Sequence, residues 1–544
     1  MSTARSGGRA VQPQALHLAP VIVLLLAAGL HALSVGWPFA FGLARGQTLW
    51  PVHIAAMALL AGVLLRTRNA RAAFTAGWVF GAVYLAATFW WLFVAMHIYG
   101  GLAAPLAVLA VVVLAALLAL YFGLACGLWW QLDRRQPGAG ALLFGTLWMM
   151  AEMARGTWLT GFGWGAGGYA HLSGPLAFYA PWVGAYGLSA LAAGLGLVLA
   201  QWLVPLLQAL AHRNTASRAV AKVAATERLP SRWALCLVAC LLLLPITVPA
   251  GWNQFTRSNG TLAVTLLQGN IPQNEKFEAT TGIAQALEWY RQELLSAHTT
   301  LVVAPETALA VLPQQLPEGY WDSLRAAFAP ADRTAIIGIP LGDEAQGYSN
   351  SVLGLVGGQA KPLRYDKHHL VPFGEFIPPL FRWFTELMHI PLGDFNRGAL
   401  GQPSLAVQGQ RLAPNICYED LFGEELAARF GDASQAPTIF VNLSNLAWFG
   451  DTVAVDQHLA ISRMRTLEFQ RPFVRATNTG ATAILDHQGR TVAALPYLTA
   501  GALVGEVQGR EGLTPFAWWA ARFGLWPLWL FGLGVVVWAW RGRP

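Results

Sequence analysis

The sequence predicts a polytopic α-helical membrane domain carrying an α/β domain outside the bilayer, on three observations. Of the 544 residues, 55% are hydrophobic and only 12% are charged, about half the charged share of an average soluble domain. Apolar stretches recur through the first half of the chain and once near its end, with basic residues gathered in alternate connections between them. Between the last two stretches, over residues 255–510, the texture changes to short β-like runs separated by helical patterns.

Composition is the first argument. A soluble globule cannot hide so much apolar surface, because much of any globule faces water; the excess must face lipid. A net charge of +7 raises the question of nucleic acid, but a nucleic-acid face needs clustered Lys and Arg. Here the basic residues lie in short groups between apolar stretches, so no nucleic-acid partner is expected.

Crossing a bilayer takes about 20 apolar residues. Eight stretches qualify as candidates, near 18–36, 49–65, 74–97, 103–130, 140–155, 175–207, 233–251 and 516–540. The first is not read as a cleaved leader, because no small-residue cleavage site opens onto a soluble domain and further apolar stretches follow. Arg5 and Arg9 precede the first; Arg66, Arg68 and Arg71 follow the second; Arg134 and Arg135 follow the fourth. Arg213, Arg218, Lys222, Arg228 and Arg232 follow the sixth, and Arg541 and Arg543 the eighth. Positive charge marks the cytoplasmic side, so eight spans put both termini in the cytoplasm and the segment after the seventh span outside it. The domains expected are 1–254 (membrane, about seven helices), 255–510 (extracytoplasmic) and 511–544 (last helix and short tail).

In the outer segment, Leu262–Leu267, Thr300–Ala304, Ala335–Ile339, Thr438–Val441 and Ala481–Leu485 read as strands. Ile283–Ala297 and Gln457–Phe469 read as helices between them. Strands alternating with helices argue for an α/β domain, and about 250 residues is ample for one core.

Of the four cysteines, Cys126, Cys236 and Cys240 fall within or beside predicted spans and read as small buried hydrophobes. Cys417 is alone in the outer domain. Where structural cysteines pair, a lone thiol is either incidental or kept for reactivity. Its surroundings favour reactivity: Arg411–Ile416 reads as a strand and Leu421–Phe430 as a helix, which puts Cys417 at a strand-to-helix turn where a helix N-terminus favours thiolate. A free thiol is only a few per cent ionised at neutral pH, so it needs a base or a cationic neighbour.

Two other segments supply such groups. Val302-Val303-Ala304-Pro305-Glu306-Thr307 puts a carboxylate just past a hydrophobic strand. Tyr365-Asp366-Lys367-His368-His369-Leu370-Val371-Pro372-Phe373-Gly374-Glu375 puts a lysine and a second carboxylate in a loop-like segment. Singly, each is an ordinary strand-end charge. Together, in the order Glu, Lys, Cys, they resemble the nitrilase (carbon–nitrogen hydrolase) superfamily. Within it, the Tyr365–Glu375 run, Cys417-Tyr418-Glu419, Gln268–Gln273, Asn442–Asp451 and the eight spans look like the apolipoprotein N-acyltransferase family.

The resemblance implies an α-β-β-α sandwich and a site with no cofactor and no metal. Glu306 would be the general base, Lys367 the stabiliser of the oxyanion, and Cys417 the nucleophile carrying the acyl group as a thioester. Glu375 would orient Lys367 or assist proton transfer. Tyr418 and Glu419 would shape the pocket or simply pack. The chain departs from the family pattern at Phe277, where Trp is usual, and at Leu446, where an acidic residue is usual. The implied partners are a phospholipid acyl donor and a diacylglyceryl-apolipoprotein acceptor. The implied setting is the bacterial inner membrane, with a multi-pass monomer presenting its catalytic domain to the periplasm.

Phe373, Phe376, Phe381, Trp383 and Phe384 make the segment after Lys367 unusually aromatic, which suits a membrane boundary or packing within the domain. With Phe277 and Trp448, the residues Phe376, Phe381 and Trp383 are the candidate substrate or lid contacts. Glu152 and Arg155, at the end of the fifth stretch, are ion-pair candidates near the membrane, functional or capping. His31, His53, His368 and His369 lack ligand spacing. Two rival readings are a membrane-tethered amidase using the same three groups and a transporter with an outer binding domain. Transport is disfavoured because the chain lacks a matched pair of Gly/Pro-broken spans.

Overall fold

A computed structural model describes residues 18–133, 137–211, 232–278, 282–378 and 394–542. Helices form at each of the eight apolar stretches. In the first half these are α1 (Leu18–Ser34), α2 (Trp50–Leu64), α3 (Ala70–Thr88), α4 (Ala104–Leu118), α5 (Leu120–Leu132), α6 (Pro137–Thr157), α7 (Ala180–Ala211) and α8 (Arg232–Thr247). Length and hydropathy qualify fewer of them as spans. Ala70–Thr88, Ala104–Leu132 and Pro175–Leu206 are long and apolar enough to cross, whereas Ala19–Ser34, Trp50–Leu64 and Val238–Thr247 are apolar but shorter.

The lipid-facing character is visible in what stays uncovered. Val21, Ile22, Leu25 and Leu26 of α1 and Leu106, Leu109, Val112 and Val113 of α4 are exposed, an outcome that water would penalise and hydrocarbon does not. Helices approach closely where residues are small: a Cβ on Gly77 of α3 would lie 2.6 Å from Cys126 Sγ of α5. Cys126 is buried as expected, but Cys236 and Cys240 are exposed on α8, correcting their reading as buried hydrophobes.

Among the described residues, the α/β domain is built on two six-stranded sheets. The first holds β1 (Thr256–Gln268), β2 (Leu301–Ala304), β3 (Thr334–Asp343), β4 (Gly347–Val356) and β5 (Leu363–Asp366); the second holds β6 (Leu405–Val407), β7 (Gln410–Ile416), β8 (Ile439–Ser444), β9 (Phe473–Thr477), β10 (Ala483–Leu485) and β11 (Thr491–Ala494). β12 (Gly501–Gly512) returns to pair with β1, so the orders are β12-β1-β2-β3-β4-β5 and β11-β10-β9-β8-β7-β6. The strands expected at 262–267, 300–304, 335–339, 438–441 and 481–485 all fall within or on these elements. β1, β2 and β3 run parallel, as do β7, β8 and β9, and such inner strands are apolar on both faces. Val264, Leu266, Val303 and Ile336 of one sheet meet Leu412, Ile416, Val441 and Val474 of the other.

Helices cover the two outer faces. α9 (Gly282–Ser296) and α10 (Tyr320–Ala327) set Leu287, Tyr290, Leu294 and Leu324 on Val302, Ala335 and Ile337. On the second sheet, α11 (Gly423–Ala427) and α12 (Ala454–Phe469) contribute Leu426, Ala427 and Phe469 to a cluster with Phe440 and Phe473. The helix expected over 421–430 is interrupted: a 3₁₀ turn over Cys417–Leu421 precedes α11, and another over Ala428–Phe430 follows it.

The last apolar stretch is not one straight span. α13 (Pro515–Phe523) and α14 (Trp526–Arg541) meet at 89°, turning at Gly524, whose φ is 53°, in the left-handed region that glycine tolerates. Phe516, Ala517 and Ala520 of α13 pack on the sandwich cluster, so only α14 continues past the turn. Hydropathy cannot separate a helix buried in protein from one buried in lipid, which is why the two read as one. Elsewhere the domains share a core: Leu421, Phe422, Ile461 and Met464 lie in one cluster with Phe89, Trp91 and Trp164.

Candidate active site

Three strand ends of the sandwich converge. Glu306 follows β2 across Pro305, whose loop lies over Gly338 of β3 so tightly that a Cβ there would clash with the Pro305 carbonyl. Lys367 follows β5, its N–H donating to Asn350 O of β4 at 2.9 Å. Cys417 follows β7 at φ 51°, a conformation uncommon for a non-glycine residue and frequent at functional turns. Glu306 and Cys417 thus sit at the carboxyl ends of parallel strands, where open α/β sheets bind ligands.

Lys367 is 1% exposed and bridges two carboxylates: its Nζ lies 2.9 Å from Glu375 Oε1 and 3.2 Å from Glu306 Oε1. Asn350 Nδ2 donates to the same two oxygens, at 2.6 Å to Glu375 and 2.8 Å to Glu306. The second oxygens are also held, Glu306 Oε2 by Asn445 N–H and Glu375 Oε2 by Val371 N–H, each at 2.8 Å. A buried ion pair tolerates its desolvation only when its remaining lone pairs are satisfied this way.

These contacts set the protonation states. Burial raises the Glu306 carboxyl, but Lys367, Asn350 and Lys276 outweigh it and hold it below the usual range. For Lys367, burial acts to lower the ammonium pKa and the two carboxylates reverse it, leaving it raised. Burial first, and then the Glu306 charge, push the Cys417 thiol well above its ordinary value. The resting site is therefore carboxylate, ammonium and neutral thiol. The expectation that a helix N-terminus favours thiolate is not met: the following helix is a short 3₁₀ turn, and carboxylates face the sulfur.

The Cys417 turn is braced from behind. Cys417 O accepts from Asn442 Nδ2 at 3.2 Å and lies 3.2 Å from His458 Nε2. Arg475 Nη2 lies 2.6 Å from His458 Nδ1; an arginine only donates, so Nε2 carries the imidazole proton and donates to Cys417 O. Asp420 completes this buried group at 3.0 Å from both His458 and Arg475. Glu419 accepts from Ile416 N (2.6 Å), Tyr365 Oη (2.7 Å), His368 N (2.7 Å) and His369 N (3.2 Å), tying the strand before Cys417 to the Lys367 loop. Tyr418 points the other way, its hydroxyl donating to Gly161 O of the membrane domain at 3.0 Å.

Of the aromatic candidates, Phe277 is 55% and Trp448 40% exposed, with the Trp448 ring 6.0 Å from Tyr99. Phe376 is half-buried beneath the Arg397 guanidinium, 4.9 Å from its ring. Phe381 and Trp383, with Phe384, lie outside the described residues. Glu152 and Arg155 do not cap a helix at an interface: both are buried, Arg155 donates to the backbone of residues 162–164, and Glu152 accepts from Gly167 N–H and from Trp148 Nε1. Among the described residues, no group of three or more His, Cys, Asp or Glu side chains could hold a metal ion.

Sequence reasoning missed Lys276. It is 2% exposed, its Nζ donates to the Glu306 carbonyl at 3.2 Å, and burial lowers its pKa to about 8 against the pull of Glu306 and Cys417. The only signal was its place before Phe277 in a run read for its aromatic. Asn350, Asn445 and the His458–Asp420–Arg475 group were missed too, since a polar residue on a buried strand or helix announces itself only once its partners are in place.

Carboxylate, ammonium and thiol in this arrangement can carry acyl transfer through a thioester. Two family profiles match the chain: Apolipoprotein N-acyltransferase N-terminal domain over residues 34–198, and Carbon-nitrogen hydrolase over residues 263–515. Three relatives bear the name Apolipoprotein N-acyltransferase. That of Verminephrobacter eiseniae is 52% identical, covering 95% of this chain and 96% of its own. That of Ralstonia nicotianae is 43% identical over 93% and 92%, and that of Bordetella bronchiseptica 41% identical over 96% and 96%.

Proposed function

The chain belongs to the apolipoprotein N-acyltransferase family, and from that premise we propose that it N-acylates the N-terminal diacylglyceryl-cysteine of apolipoproteins through an acyl-enzyme on Cys417. The observation carrying the reading is the buried Glu306–Lys367–Glu375 cluster beside a lone thiol on a left-handed turn. In the first half-reaction Glu306 takes the thiol proton as sulfur attacks an ester carbonyl of phospholipid. The oxyanion faces the Lys367 ammonium, a contact worth roughly 3–4 kcal/mol by analogy with a lost oxyanion donor. Collapse expels lysophospholipid, whose alkoxide oxygen takes the proton back from Glu306, and leaves a thioester. In the second, the α-amine attacks the thioester, loses a proton to Glu306 and leaves as the amide, and the Cys417 sulfur recovers the proton. Glu375 and Asn350 hold Lys367 throughout.

A neutral resting thiol fits this sequence, because deprotonation coupled to attack spares the enzyme a permanently reactive sulfur. Intact mass after incubation with phospholipid tests it: one acyl adduct on Cys417 is expected. No adduct, with turnover of small amides, would instead favour a tethered amidase.

The membrane setting is read the same way. The exposed apolar faces of α1 and α4 support a multi-pass protein of the bacterial inner membrane, and the basic clusters support eight spans, with residues 255–510 on the periplasmic side and 1–254 and 511–544 completing the membrane part. The enzyme acts as a monomer. Reporter fusions after Arg232 and near Gly260 are expected on opposite sides of the membrane; the same side for both would overturn this topology.

A further inference from the structure

Just past α6, the backbone adopts left-handed conformations at three successive residues, Leu159 (φ 53°), Thr160 (φ 76°) and Gly161 (φ 74°). Two of these are not glycine, and such strain persists only where surroundings impose it. Leu159 at the tip is 92% exposed, and Trp158 stacks on Trp529 of α14 at 5.7 Å and 5°. The segment then turns inward to the nucleophile. Thr160 O lies 2.9 Å from His369 Nε2, and Gly161 O accepts from Tyr418 Oη at 3.0 Å. The Phe162 ring stacks on Tyr418, and the Trp164 ring on His458 at 5.5 Å and 12°. Tyr418 is the residue after Cys417, and His458 donates to the Cys417 carbonyl. The loop therefore grips both flanks of the nucleophile.

Arg155 holds the loop. Its guanidinium, 1% exposed, donates to Phe162 O, to Trp164 O at 2.8 Å and to Gly163 O at 3.4 Å. Glu152, one turn earlier on α6, accepts the Gly167 N–H at 2.9 Å and fixes the loop's far end. Three carbonyls around one planar fork is a task for arginine, since lysine presents a point charge.

We propose that Arg155 is a positioning residue for acyl transfer: acting through the Phe162–Trp164 carbonyls, Gly161 and Tyr418, it sets the Cys417 turn from within the membrane domain. The catalytic centre is then shared by the two domains, and the outer domain is incomplete without its membrane half. This rests on Cys417 being the nucleophile.

The test is single-turnover acylation of the full-length enzyme by labelled phospholipid, for Arg155→Lys, Tyr418→Phe and the double variant. Each single change is expected to slow acylation roughly 10- to 100-fold, as small misplacements of a reacting group do. The double variant should be no slower than the worse single, because both break one path, whereas independent losses multiply. Alkylation of Cys417 by iodoacetamide, which needs no aligned ester, should stay at the wild-type rate in all three. Wild-type acylation by Arg155→Lys, or losses that multiply, overturns the proposal. If Arg155→Lys does not fold, Tyr418→Phe alone decides: wild-type acylation by it overturns the path. Loss of label in Cys417→Ala alongside either result shows that the nucleophile assignment stands separately.

Discussion

Cys417→Ala is expected to abolish both the trapped acyl-enzyme and all transfer to a diacylglyceryl-cysteinyl peptide. Cys417 is the sole thiol of residues 255–510, so no second thiol can replace it there. Its carbonyl contacts to Asn442 and His458 are backbone contacts that alanine keeps, and the methyl group removes only sulfur. The folded state should survive and the loss should be chemical. Labelled phospholipid followed by a peptide chase measures it. A label that survives the substitution, or peptide acylation at a measurable fraction of the wild-type rate, would remove the thioester from the mechanism.

Glu306→Gln is expected to suppress acylation on the order of 10²- to 10⁴-fold at neutral pH, the range for loss of a positioned base. The pH dependence carries the assignment. Glu306 titrates below the usual carboxylate range, so its carboxylate is ionised from mildly acidic pH upward, and with Glu306 as the proposed base acylation should be flat through neutrality. Without it, reaction waits on free thiolate. The Cys417 thiol titrates above its ordinary range, so the residual rate should climb about tenfold per pH unit through neutral and mildly alkaline conditions, with no plateau. A Glu306→Gln enzyme that acylates at full speed at pH 7, or whose residual rate is flat with pH, would deny Glu306 the role of base.

The proposed triad was legible because Glu306, Lys367 and Cys417 stand in strand-end runs whose order along the chain resembles a known family. Their protonation was not. The thiol read as favouring thiolate from its place before a helix, yet the turn that follows is short and Glu306 and Glu375 lie across the site, so burial and like charge dominate. Lys276 was invisible for the same reason: a lysine's pKa is set by what surrounds it, and its surroundings include Glu306 past β2 and Cys417 past β7, both distant in sequence.

Read alone, the chain divides itself into apolar helices and an α/β segment. Period, length and charge place apolar helices, alternating strands and the Glu-Lys-Cys order, because these are local properties of a chain choosing between lipid, core and water. How distant segments meet is settled by the folded molecule. It bent the last apolar stretch into α13 on the sandwich and α14 beyond it, because packing competes with lipid for the same apolar surface. It turned Glu152 and Arg155 from an expected pair into the anchors of a loop. And it brought that loop against Tyr418 and His458, joining the N-terminal helices to the Cys417 turn through carbonyl and ring contacts that leave no periodicity in the sequence.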